Sequence, residues 1–151
     1  MASHNRTGRS KKNQGRFVAL PHKVIDSPGY RATSPTARAV LIAAIRLYDG
    51  TNNGSLALSA RLIAQRTNVS KDTASRAIKE LVNCGLLRLV KASSFSQKKT
   101  AAEYRLTHLM CNVTHSMASH EYLAYGTIRG NVIVHPALSM QTKPPETSTK
   151  Y

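Results

Sequence analysis

Residues 59–81 read SARLIAQRTNVSKDTASRAIKEL, two helical patterns separated by a three-residue break. Ser59 opens the first helix, which runs through Arg66, carries Leu62 and Ile63 inward and sets Ala64 at a close contact. Thr67-Asn68-Val69 interrupts it, with Asn68 suited to a left-handed backbone and Val69 to plugging the turn from below. Ser70 can cap the next helix, and Asp72 in its first turn complements the positive helix end. Ala74, Ala77, Ile78 and Leu81 then recur at three- and four-residue spacing, which gathers them on one buried face. Cys84-Gly85 closes this helix.

Upstream, Ser34 and Pro35 predict another helix start, because the hydroxyl can accept from free amides and proline lacks the donor that is orphaned there anyway. Val40, Leu41, Ala44, Ile45 and Tyr48 form its inner stripe, with Arg38 and Arg46 largely outside it, and Asp49-Gly50 stops it. A turn over 51–55, containing Asn53-Gly54, leads into the short strand Leu56-Ala57-Leu58. Earlier still, Pro21 and Ser27-Pro28-Gly29 bracket a brief helix or turn that includes Val24 and Ile25. Downstream, 86–91 and 103–107 read as strands of a hairpin whose polar tip carries Lys98 and Lys99. Helix, break, helix and hairpin in that order predict a winged helix-turn-helix: a mainly α chain with a small β-hairpin wing, of α+β class.

Function is expected on what the helix after Ser70 leaves outside. A helix fits the major groove with its N-terminal half toward base edges, so Thr73, Ser75 and Arg76 are candidates for reading bases. Arg76 can form a paired hydrogen bond with guanine, and Thr73 can bond a base edge or touch a thymine methyl. Ser70, Lys71 and Lys79 suit backbone phosphates, as do Arg88, Lys91, Lys98 and Lys99 on the hairpin, where Arg105 adds charge and Glu103 opposes it. A third basic group, Arg6, Arg9, Lys11, Lys12 and Arg16, lies in an N-terminal stretch with no acidic residue.

The whole chain agrees with a polyanionic partner. It has 151 residues, with 22 Lys and Arg against 7 Asp and Glu, a formal charge of +15. That length predicts one domain with tails: a flexible basic arm over 1–16, the winged helix over 17–107, an extension over 108–139 and a disordered tail over 140–151. Within the extension, 119–125 suggests one short helix and 131–134 one strand. No apolar run reaches membrane-span length and no secretory signal begins the chain, so a cytoplasmic protein, with no membrane partner, is expected. Two cysteines, Cys84 and Cys111, are too few for a disulfide framework. His108, Cys111, His115 and His120 fall within thirteen residues, but a single thiolate without a paired-cysteine knuckle assigns no metal site. The seven carboxylates are dispersed, and there is no phosphate-cradling glycine loop or nucleophile elbow; neither enzymatic activity nor a cofactor is expected.

The segment 17–28, the Asn52-Asn53-Gly54 turn, the stretch 59–81 and Glu103-Tyr104-Arg105-Leu106-Thr107 together resemble short winged helix-turn-helix proteins of phages, plasmids and mobile elements, many described as replication-protein-like. The resemblance spans about residues 17–115. Tyr30 and Tyr104 stand where it leads one to expect Trp, and Asn112 where it leads one to expect Asp. It implies binding of double-stranded DNA, often by a homodimer, at a regulatory or origin site. The rival expectation is an interaction protein, such as a phage-type inhibitor, that uses the same scaffold to bind a host protein or nucleoprotein complex.

Overall fold

The computed structural model describes residues 16–94 and 100–126, together with the backbone of 128–129 and 132–133. Two four-residue helices, α1 (His22–Ile25) and α2 (Pro28–Arg31), lead into α3 (Pro35–Arg46). A short strand β1 (Leu56–Ala57) precedes α4 (Ala60–Thr67) and α5 (Lys71–Asn83), and β2 (Leu87–Lys91) and β3 (Glu103–Leu106) follow. A 3-10 turn, Glu121–Leu123, and a separate antiparallel pair, β4 (Ile128–Arg129) and β5 (Val132–Ile133), complete the described elements.

Local chemistry starts each main helix. The hydroxyls of Ser34, Ser59 and Ser70 accept from the amides of Ala37, Leu62 and Thr73, each satisfying a donor that helix geometry leaves free. Between α4 and α5 the chain turns at Asn68, at φ 54° and ψ 44°, where its short polar side chain tolerates a left-handed backbone. The Val69 amide bonds the Ala64 carbonyl across that turn. At the end of α5, Gly85 takes φ 75°, its amide bonds Val82 and the Leu86 amide bonds Leu81, the paired bonds of a Schellman motif.

Packing then joins the elements. Ala74, Ala77, Ile78 and Leu81 are buried, and α5 packs on both α3 and α4 with its small alanines at the contact. The buried side of α3 consists of Ala37, Val40, Leu41, Ala43, Ala44 and Ile45. On α4 only Ile63 is fully buried; Leu62, expected inside, is half-buried at the helix edge. The wing has three strands in the order β1-β3-β2, all antiparallel, because Leu56 and Ala57 pair with Tyr104 and Glu103 and give β3 a second neighbour. Register shifts between Leu89 and Lys91, so the outer end of β2 is irregular.

The chain beyond β3 folds back over the sheet and α5. Tyr122 is buried in the common core, its phenol oxygen 2.7 Å from His120 Nδ1. The backbone there passes so close to Gly29 and Gly85 that an added β-carbon would lie 2.8 Å from the Tyr122 carbonyl oxygen and amide nitrogen, respectively. The single helix expected over 119–125 is only a 3-10 turn, because His120 sits at φ 49° and breaks any helix that would pass through it. The strand expected over 131–134 corresponds to β5, whose partner β4 the sequence reading left unassigned.

Arg105 requires a correction. Expected among the charges on the hairpin surface, it is only 7% exposed. Its Nη1 donates to Ser116 at 2.9 Å and its Nη2 stands 3.9 Å from the Glu121 carboxylate. The face of β3 opposite the core is covered by the returning chain, so both terminal nitrogens of the guanidinium meet partners within the molecule, while its buried Nε has none among the described residues.

Candidate nucleic-acid interface

Two stripes run along α5. Asp72, Ser75, Arg76 and Lys79 repeat the spacing of the buried set, offset from it by two residues, which on a helix is about 200° and turns them to the opposite side. Asp72, Arg76 and Lys79 are exposed and Ser75 is half-buried; Ser70 and Lys71 are exposed at the helix start. Thr73 lies on the flank of this stripe. Its hydroxyl is 2.8 Å from that of Ser70, within the cap.

The flank is shared with α3. Ser34, Thr36, Thr73, Arg76, Ala77 and Glu80 line one open cleft of about 340 Å³. Its inner wall is fixed by Glu80, whose carboxylate accepts from the Ser34 amide and, at 2.9 Å, from the Ser34 hydroxyl. The same Ser34 oxygen accepts from Ala37, so one carboxylate on α5 orients the cap of α3 and sets the crossing of the two helices. Thr36 therefore stands beside Thr73 and Arg76, a neighbour that sequence spacing did not reveal. Glu80 read only as one of seven dispersed carboxylates; its partner is 46 residues away.

The remaining expected contacts are distributed. Arg88, 58% exposed, has its Nη1 3.2 Å from Glu121, so part of its charge is balanced within the molecule. Lys91 is exposed at the end of β2, opposite Glu103 in the ladder. Arg16 is exposed beside Phe17, Ile45 and Arg46, at the C-terminal end of α3, whereas Thr36 and the α5 cleft lie at its N-terminal end. Lys98, Lys99, Arg6, Arg9, Lys11 and Lys12 lie outside the described residues.

Other candidate chemistry disperses in three dimensions. The Cys111 thiol is buried and turned to the Asn53 carbonyl at 3.5 Å, His120 is held by Tyr122, and His115 is exposed. Among the described residues no three His, Cys, Asp or Glu side chains stand together as metal ligands would. No helix among them is long and apolar enough to cross a membrane.

Residues 34–87, from the cap of α3 to the first residue of β2, match the family model described as a helix-turn-helix domain. No curated protein and no solved structure matches the chain. Residues 34–87 thus form a helix-turn-helix region, followed by the small antiparallel three-stranded sheet of a winged helix.

Proposed function

We propose that this protein is a sequence-specific double-stranded DNA-binding protein, a transcriptional regulator or replication-origin binder that acts inside the bacterial cell without catalysing a reaction. The observation that carries this reading is the outer stripe of α5, with Ser75, Arg76 and Lys79 side by side and Thr73 on its flank. With α5 in the major groove, Arg76 bonds a guanine, Ser75 bonds a base edge and the Thr73 methyl meets a thymine. Ser70, Lys71 and Lys79 hold phosphates on either side, and Lys91, Arg88 and the hairpin lysines Lys98 and Lys99 extend that grip. The arm residues Arg6, Arg9, Lys11, Lys12 and Arg16 add phosphate or minor-groove contacts.

Base contacts and phosphate contacts separate experimentally. Arg76→Ala is expected to weaken binding to the preferred duplex by about 1–3 kcal/mol and to relax preference at one base pair. Equal weakening on every duplex would make Arg76 a phosphate contact. Lys71→Ala with Lys79→Ala is expected to keep the preferred sequence and reduce the steepness of log Kd against log salt by about 2. A changed motif in that double variant would contradict the division of roles.

A further inference from the structure

The helix-turn-helix domain has a second exposed surface, built from α3 and the end of α4. Ala39, Ile42, Ala43, Arg46, Arg66 and Thr67 line a shallow groove of about 350 Å³. Ile42 is 49% exposed in the middle of α3, where the core-facing stripe leaves it outward. Beyond Arg46 the apolar surface resumes at Phe17, which is 78% exposed. Isolated exposed aliphatics are ordinary, but here they adjoin a concavity with cationic margins. Neither α3 nor α4 contains an acidic residue, and among the described residues neither Arg46 nor Arg66 has a carboxylate partner.

We propose that this groove docks an acidic amphipathic helix of another protein, its apolar stripe on Ala39, Ile42 and Ala43 and its carboxylates on Arg46 and Arg66. Charge complementarity selects that occupant. A second copy of this chain would bring the same two arginines and a net charge of +15 to the contact, and like charges facing each other oppose association. Nucleic acid would satisfy the arginines, yet phosphate gains nothing from Ile42, whereas an apolar helix face buries it. The surface is distinct from the outer stripe of α5, so a protein held there can travel with the DNA-bound molecule.

The test uses the full chain, isotopically labelled, and a synthetic helical peptide of about five turns with leucines on one stripe and glutamates flanking them. Amide shifts are expected to concentrate on residues 39–46 and 66–67. Ile42→Ser is expected to weaken the peptide about tenfold or more while leaving duplex DNA affinity within about twofold. Arg46→Ala with Arg66→Ala is expected to weaken it and to remove its salt dependence. A peptide of identical composition with its leucines scattered around the helix should bind far less. The proposal is overturned if the scattered peptide binds equally, if Ile42→Ser has no effect on the peptide, if shifts centre on α5 or if no binding occurs. It is overturned equally if duplex DNA competes with the peptide for residues 39–46, which would assign the groove to the DNA surface. Because DNA affinity is measured on the same variants, failure of this proposal and failure of the DNA-binding reading are told apart.

Discussion

Asn53→Ala is expected to destabilise the fold by about 2–4 kcal/mol, because one fully buried side chain ties together the backbone of Leu106, Leu109 and Met110. Asn53 is 0% exposed. The two hydrogens of its side-chain amide are shared among the carbonyls of Leu106, Leu109 and Met110, at 3.0, 3.3 and 2.9 Å from Nδ2, and its oxygen accepts from the Leu106 amide at 2.7 Å. Alanine leaves the Leu106 amide and the Leu109 and Met110 carbonyls facing a small void, whereas the Leu106 carbonyl keeps the Leu109 amide at 3.4 Å. Asn53→Asp keeps the acceptor for Leu106 but loses the donor and sets a carboxylate against three carbonyl oxygens, so it is expected to be no better. Asn112 is a lesser partner: its Oδ1 accepts from the Asn53 amide at 3.0 Å, and its own amide donates to the Asn53 carbonyl at 2.7 Å. An Asp at this position would offer the same acceptor, so Asn112 does the part of the residue expected there. Urea unfolding measures these effects, and a loss below about 1 kcal/mol for Asn53→Ala would contradict the hub. The consequence reaches the interface, since this hub holds the exit of β3 to the turn before β1 and so seats the wing against the helices.

Acidification is expected to cost about 3 kcal/mol of stability between pH 7 and pH 4 through His108 alone. Burial, and secondarily the nearby His120, push the His108 pKa down from 6.5 to about 4. Its Nδ1 has no hydrogen-bond partner among the described residues. The neutral ring is therefore the form the folded state prefers. Between those two pKa values the unfolded chain binds more protons, so the contribution is complete above pH 6.5 and disappears as pH falls toward about 4. Other groups titrate in the same range, and His108→Gln isolates the effect: the variant's stability is expected to fall less steeply with acid than that of the unmodified protein. Parallel curves for the two would contradict it.

What was legible in the sequence is what depends on neighbours in the chain. The caps at Ser34, Ser59 and Ser70, the left-handed Asn68 and the four-residue stripe of α5 all follow from contacts within a turn or two. The outer stripe of α5 was legible for the same reason, as the complement of the buried one. Arg105 was misread because alternation along β3 marks one apolar face and says nothing about what covers the other. That depends on the path taken by 107–123 after the strand, as does the burial of Tyr122. Glu80 and Asn53 were seen as residues but not as parts, since their partners lie 46 and 53–59 positions away. Thr36 joined the candidate interface only when Glu80 fixed the crossing of α3 and α5.

The central claim is that α5 reads base sequence, and selection of duplexes from a random pool by the full-length protein tests it most directly. The recovered duplexes are expected to share a motif containing a guanine whose preference relaxes when Arg76→Ala is used in the same selection. If two copies bind together, that motif should recur as an inverted repeat with half-sites about one helical turn apart. Recovery of duplexes with no common sequence, at affinities that depend on salt alone, would contradict the claim and leave the basic surface a nonspecific grip on polyanions.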